Sequence, residues 1–206
     1  MPRPRSLTHA GIAAAALAVI DRDGLAALSM RAVAVELGMG TMSLYRYVED
    51  REQLEALVVD KVLGEVDTVA PSRGPWPKRV TALVERMRDV AGAHPQLAPL
   101  LMAHRDRSAA SWHWTESVLG VLTEAGFTGR NRVIAFRTVL SYLFGSLQAE
   151  LLGPLSGAGT ATLAALSPED FPLLSETATA ARRLGDAESF RRGLAAVLRG
   201  LDPTTG

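Results

Sequence analysis

The chain has 206 residues, 48% of them apolar and 5% aromatic, and its 22 basic residues are balanced by 22 acidic ones. It contains no cysteine, which excludes disulfide frameworks, thiolate zinc sites and cysteine nucleophiles. Neither a run of about 18 apolar residues nor a signal peptide is recognisable, so we expect a soluble cytoplasmic protein without a membrane span. Abundant Ala and Leu and the lack of strand-like alternation predict an all-α fold.

The first predicted helix begins after an N-terminal arm. Arg3 and Arg5 lie between prolines in that arm, and two interpretations remain open, a disordered tail or a contact with phosphate or the minor groove. Thr8 is suited to cap the helix, which is expected to run to Arg22 and to end at Gly24.

Two short helices joined by a tight turn are predicted between Ser29 and Tyr47. Ser29 is a suitable N-cap for a helix over Met30 to Leu37, and Gly38 can end that helix in a left-handed conformation. The second helix, Thr41 to Tyr47, carries mainly hydroxyl, guanidinium and phenol groups. Such donors are typical of a helix that contacts phosphates and base edges in a DNA groove.

A longer motif surrounds this hairpin. The run from Leu37 to Arg51 fits the pattern L-G-x-x-x-x-x-L-Y-x-[YH]-[VF]-x-[DN]-[KR], and Asp50 with Gln53 predicts a capping box that opens a further helix. From Leu7 to about Val66 the sequence resembles the DNA-binding region of the tetracycline-repressor (TetR) family of bacterial regulators. The resemblance implies an N-terminal three-helix, helix-turn-helix domain followed by a helical ligand-binding and dimerisation domain.

The resemblance also implies which residues contact DNA. Thr41, Met42 and Ser43 would open the recognition helix, and Tyr45 and Tyr47 would donate to phosphates. Gly40 stands where the family often has a capping side chain, so the recognition helix is expected to start less firmly. Arg46 replaces an aromatic residue of the tetracycline repressors, which predicts a different base preference. The predicted DNA-binding residues are Ser29, Arg31, Thr41, Met42, Ser43, Tyr45, Arg46, Tyr47 and Arg51.

A proline-rich break at Ala70 to Pro77 predicts a domain boundary, and we assign residues 1–66 and 67–206 to the two domains. Leu155 to Leu166 is predicted to be a flexible linker. The other predicted helices of the second domain span Lys78 to His94, Gln96 to Ala103, Ser108 to Ala125 and Gly129 or Arg130 to Leu152. Two more helices are predicted, one starting at Ser167-Pro168 and a last one that Asp186 caps.

The second domain concentrates the side chains that typically line a small-molecule cavity. The predicted ligand-binding residues are Met87, Met102, His104, Trp112, Trp114, Phe136 and Tyr142. The alternative is that each is an ordinary core residue. The histidines lack metal-ligand spacing and no catalytic pair or cofactor motif is visible, so neither metal, cofactor nor enzymatic activity is predicted.

We therefore predict a ligand-responsive transcriptional regulator, acting as a repressor that a small apolar effector releases from a palindromic double-stranded operator. The family resemblance and wide apolar stripes predict a homodimer held by Arg130 to Leu152 and Ala187 to Leu201. Two alternatives stay open. One is a DNA-binding regulator without a small-molecule ligand, and the other is a helical enzyme or ligand carrier whose N-terminal hairpin is incidental.

Overall fold

The computed structural model describes residues 7–104, 107–152 and 159–204. Its described residues form eleven α-helices and no strand, which confirms the predicted all-α class. None of these helices is both long and apolar enough to cross a membrane. Arg3 and Arg5 lie outside the described residues, as does the first part of the predicted linker.

Two compact units make up the chain. Unit 1 comprises Met1–Thr68 and Asp89–Thr115, and unit 2 comprises Val69–Arg88 and Glu116–Gly206. Helices α5 (Trp76–Ala93) and α7 (Ala109–Glu124) contribute residues to both units. The predicted division of the chain at residues 66 and 67 stays a prediction.

Unit 1 is built on the packing of its first and fourth helices. Its other helices are α1 (His9–Asp23), α2 (Met30–Glu36), α3 (Thr41–Leu44), α4 (Arg51–Leu63) and α6 (Ala98–His104). Ile12 and Ile20 of α1 and Leu54 and Val58 of α4 are fully buried, and α1 contacts both α4 and α2. This apolar packing fixes the position of the short helices α2 and α3.

The ends of α1 are set by the predicted residues. Thr8 Oγ1 accepts a hydrogen bond from the Gly11 N–H at 3.1 Å, which satisfies one free donor of the first turn. At the other end Gly24 has a φ of +85°, a conformation that glycine adopts without strain.

Unit 2 contains the longest helix and the C-terminal helix. Its further elements are α8 (Gly129–Leu152), α9 (Gly159–Ala164), α10 (Pro172–Ala181) and α11 (Asp186–Arg199), with α8 packed on α11 and α9 on α10. The Tyr142 hydroxyl donates to the Phe190 carbonyl at 2.9 Å and lies directly against Gly193. Gly193 thus lets α8 and α11 approach closely, because a Cβ at this position would collide with the Tyr142 ring.

The proline-rich segment before α5 is tied to that helix. Arg79 Nε donates to the Pro71 carbonyl at 2.7 Å, and Arg86 Nη1 donates to the Val69 carbonyl at 2.7 Å. The helix begins at Trp76, earlier than the predicted Lys78, and the Trp76 ring packs edge-on against Phe127 with centroids 5.1 Å apart. Trp76 is therefore part of a packed helix.

Three predictions about the C-terminal region were wrong. Residues 159–164 form helix α9 within the predicted linker. Ser167-Pro168 starts only a turn, because Pro172 disfavours a helical conformation at Phe171 and the lasting helix begins at Pro172 itself. Gly185 occupies the N-cap of α11, so Asp186 is the first helical residue and stabilises the helix dipole instead of capping it.

Candidate nucleic-acid interface

Helix α2 is capped by hydrogen bonds at its N-terminal and C-terminal ends. The Ser29 hydroxyl accepts from the Ala32 N–H at 3.1 Å, as a capping residue does. Gly38 follows the helix with a φ of +65°, and the Met39 N–H returns to the Ala34 carbonyl at 2.9 Å. This six-to-one hydrogen bond is a common helix ending that glycine makes possible. The turn between α2 and α3 is consequently defined by local chemistry.

Helix α3 is anchored by one residue and exposes the rest of its surface. Leu44 is fully buried, whereas Met42 is 79% exposed and Tyr45 is 46% exposed. The α-helix ends at Leu44, and residues 45–47 continue as a hydrogen-bonded turn in which the Tyr47 N–H donates to the Leu44 carbonyl at 2.9 Å. Gly40 makes no side-chain cap bond. The recognition helix is therefore shorter than the predicted Thr41 to Tyr47.

The predicted DNA-binding side chains lie mostly at the surface. Arg31, Met42, Tyr45, Arg46 and Tyr47 are exposed. The exposed set also includes Ser29 and Arg51, while Thr41 and Ser43 are half-buried. Met42, 79% exposed, has little packing role in unit 1, and Tyr45 and Tyr47 leave 46% and 36% of their surfaces exposed, so this surface is available to a partner.

The arginines of unit 1 differ in their partners. Arg22 is bound to Asp23 and Glu36, which raise the pKa of its guanidinium above the ordinary value, Asp23 contributing most. Lys61 pairs with Glu65 at 3.3 Å. Arg31 and Arg46, in contrast, form no ion pair with any residue that the structure describes. Their charges are open to phosphates or bases although the chain as a whole is neutral.

Helix α4 begins beside this surface. Asp50 Oδ1 accepts from the Gln53 N–H at 2.8 Å, which confirms Asp50 as the N-cap. The Gln53 side chain reaches back to the Glu49 N–H at 2.6 Å instead of closing the predicted capping box on Asp50. Arg51, the first helical residue, keeps its Nε 2.7 Å from Glu55 Oε1.

One residue of this surface was not predicted. His9 Nε2 lies 2.9 Å from the Tyr47 carbonyl oxygen and so joins the start of α1 to the end of the recognition segment. The two residues are 38 positions apart, and no sequence pattern indicates the contact.

The predicted ligand-binding residues are divided between the units. Met102, His104, Trp112 and Trp114 belong to unit 1, where His104 and Trp114 are buried. Met87, Phe136 and Tyr142 belong to unit 2, where Tyr142 lines a described cavity of about 500 Å³. Its walls include Tyr142, Ser146, Thr177, Leu184, Ser189 and Phe190. His104 lines another described pocket, of about 480 Å³, in unit 1. A common role of the seven residues in one ligand site stays a prediction.

Family models match nearly the whole chain. Residues 12–56 match the model for "Bacterial regulatory proteins, tetR family", and residues 69–205 match the "Tetracyclin repressor-like, C-terminal domain". The helix-turn-helix surface lies within the first of these ranges.

Relatives in sequence and in structure agree with this match. The chain is 32% identical over 151 residues to the HTH-type transcriptional repressor DrrR1 of Streptomyces coeruleorubidus, a match that covers 73% of the chain and 56% of DrrR1. The chain thus spans little more than half of that relative. It is 26% identical to the class A tetracycline repressor protein from transposon 1721 of Escherichia coli, covering 91% of the chain and 87% of that repressor.

A solved structure extends the likeness to the fold. ActR from Streptomyces coelicolor, a TetR family protein in complex with (S)-DNPA, superposes with a TM-score of 0.81 at 27% identity and covers 96% of the chain and 98% of ActR. These relatives are regulators and not enzymes. The match over residues 69–205 covers more than half of the chain, and a second model of the same family matches the helix-turn-helix. The chain therefore belongs to the tetracycline-repressor (TetR) family of bacterial transcriptional regulators.

Proposed function

We propose that the chain is a ligand-responsive transcriptional repressor that binds a palindromic double-stranded operator as a homodimer. The observation that carries the proposal is the surface of α2 and α3. There Arg31 and Arg46, without carboxylate partners among the described residues, lie in the same helix-turn-helix as the exposed Met42, Tyr45 and Tyr47. Free guanidinium and phenol groups suit phosphate and base contacts.

The DNA contacts are proposed to follow the order of the elements. Thr41, Met42 and Ser43 at the start of α3 would face base edges, and Arg46, in the turn that follows α3, would contact a base or a phosphate. Tyr45 and Tyr47 would donate to phosphates. Ser29, Arg31 and Arg51 complete the surface from the first turns of α2 and α4. Free backbone N–H groups at these helix starts add donors for the phosphate chain.

A homodimer is supported by the outer face of α8. Ile134, Ser141, Gly145 and Gln148 are exposed at helical spacing along this helix. Small side chains let two helices approach closely, and an exposed isoleucine supplies apolar area to bury. Two recognition helices in one dimer would fit half-sites about one helical turn of DNA apart.

Two observations support a small apolar effector. The second predicted domain, residues 67–206, concentrates the methionine and aromatic residues that line such sites, and the solved structure of ActR contains the ligand (S)-DNPA. The cavity of about 500 Å³ in unit 2 has a size that suits such a molecule. The effector would act by binding more tightly to a dimer arrangement that no longer fits the operator. The curated relative DrrR1, described as a repressor, favours repression as the direction of control.

Two steps test this proposal. Duplexes retained from a random pool identify the operator, and a library of apolar compounds is then screened for release of the labelled duplex. We expect one or more compounds to release it. If a duplex is selected but only anionic metabolites release it, the apolar effector is wrong. If nothing in either class releases it, the chain is a regulator without a small-molecule ligand.

A further inference from the structure

Glu55 of α4 shares its carboxylate between two side chains of unit 1. Its Oε1 lies 2.7 Å from Arg51 Nε on the same helix, and its Oε2 lies 3.2 Å from His104 Nε2 on α6. Since a carboxylate only accepts, both nitrogens donate to it. The Glu55 side chain is itself largely buried, with 17% of its surface exposed.

The contact with Glu55 leaves the binding end of Arg51 open. Only Nε of the guanidinium is engaged, and the two Nη groups have no partner among the residues that the structure describes. The Arg51 side chain is about half exposed. A guanidinium held at Nε keeps its plane fixed while its Nη groups remain free to bind a phosphate.

His104 holds the other end of this chain of contacts. It is 6% exposed, and its Nδ1 is buried without a hydrogen-bond partner in the described part of the protein. Glu55 is therefore the one described hydrogen-bond partner of the imidazole. The neighbouring Glu52 is paired with Arg107, so these two charged residues satisfy each other beside the Glu55 pair.

We propose that Glu55 and His104 are positioning residues for the phosphate contact of Arg51. This inference rests on the proposed DNA-binding function. A long arginine side chain normally loses conformational freedom when it binds, which lowers affinity. In this protein the Arg51 side chain is ordered before DNA binds, because His104 fixes Glu55 and Glu55 fixes the guanidinium plane. The loss of conformational freedom on binding is therefore smaller.

A matched pair of substitutions separates the hydrogen bond from packing. Gln can place a donor near the position of Nε2, whereas Asn reaches only the position of Nδ1. We expect His104→Gln to bind the selected duplex like the wild type and His104→Asn to bind it about three- to tenfold more weakly, the effect of leaving one long side chain unordered. Glu55→Asp, too short to reach both partners, gives the same loss and serves if the Asn variant does not fold.

The control substitution breaks another histidine–carboxylate contact of unit 1, one whose carboxylate binds no arginine among the described residues. His94 Nδ1 lies 3.1 Å from Asp21 Oδ1, and His94→Gln breaks this contact. We expect its DNA affinity to be unchanged. Circular dichroism and thermal unfolding confirm that each variant is folded.

A double-mutant cycle with Arg51→Ala decides whether His104 acts through Arg51. In the Arg51→Ala background, His104→Asn should cause no further loss of affinity, whereas a general structural defect would add its own loss. An additive loss, or an Asn variant that binds like the wild type, overturns the inference while the DNA-binding function stands. A wild-type chain that selects no duplex overturns both.

Discussion

Two arginines of unit 1 have opposite surroundings, which makes them a matched pair. Arg46 forms no ion pair within the described residues, whereas Arg22 donates to Asp23 at 3.1 Å and to Glu36 at 2.9 Å. All three nitrogens of the Arg22 guanidinium are bound to carboxylates, so little of it is left to contact DNA, whereas Arg51 binds Glu55 through Nε alone. Accessible charge at single positions therefore matters more here than the net charge of the chain.

Arg46→Ala is expected to weaken binding of the selected duplex by about 1–3 kcal/mol per half-site if Arg46 contacts a base. If it contacts only a phosphate, the slope of log affinity against log salt should instead fall by about 0.9 per subunit, which is about 1.8 for the dimer. Arg22→Ala should change neither quantity. Titrations at several salt concentrations distinguish these results, and equal effects of the two substitutions would contradict the assignment of the surface.

At the scale of the element, the start of α3 offers a test of local structure. Gly40 has an extended backbone, makes no side-chain cap bond and has open space around an added Cβ. Gly40→Ser should therefore raise the free energy of unfolding by about 0.5–1 kcal/mol, by capping the helix and restricting the unfolded chain. Gly38→Ser should lower it by about 1–2 kcal/mol, because its φ is +65°. Denaturant unfolding measures both, and a stabilised Gly38 variant would refute this explanation.

The crossing of α8 and α11 gives a second test. Gly193→Ala introduces a Cβ against the Tyr142 ring and should destabilise the protein by about 1–3 kcal/mol. In a Tyr142→Leu background the same substitution should stabilise it by about 1 kcal/mol, since alanine is the better helix former and the collision is gone. The sign of the change, measured by urea unfolding, is the criterion, and loss of stability in both backgrounds would show that Tyr142 is not the cause.

The helix ends in unit 1 were predictable because their causes are local. Ser29, Gly38 and Asp50 act within a few residues of themselves, so composition and spacing were enough. The N-terminal ends of α10 and α11 were predicted incorrectly because two candidate start residues lie close together in each case. The structure uses Pro172 instead of Pro168 to start α10, and Gly185 instead of Asp186 as the N-cap of α11.

Contacts between distant residues gave no such signal. The His9–Tyr47 contact joins residues 38 positions apart, and the Glu55–His104 contact joins residues 49 positions apart. His104 was predicted as a ligand-binding residue because methionine and aromatic residues are concentrated around it in the sequence. Its observed hydrogen-bond partner is instead the Glu55 carboxylate of α4. Long-range partners depend on how helices pack, and the periodicity of one helix does not determine them.

For the whole molecule, the proposed dimer depends on surfaces that a single chain leaves exposed. Leu198 of α11 is only 2% exposed within one chain, so a charge there would disrupt the unit itself. Gly145 on α8 is exposed and is therefore a better position for a charged substitution that tests the dimer. Gly145→Arg should give folded monomers by light scattering at micromolar concentration and abolish operator binding, because one half-site provides little affinity. Thr128→Arg, at another exposed position, should remain dimeric. A monomeric wild type would falsify the dimer.

The most direct test of the central claim compares two duplexes and two proteins. Wild-type protein and an Arg31→Ala/Arg46→Ala variant are titrated with the selected palindromic duplex and with a scrambled duplex of equal composition. We expect the wild type to prefer the selected duplex by about a thousandfold or more, and the variant to lose most of that preference. Equal wild-type affinity for both duplexes, or a variant that discriminates as well as the wild type, would contradict operator recognition by α2 and α3.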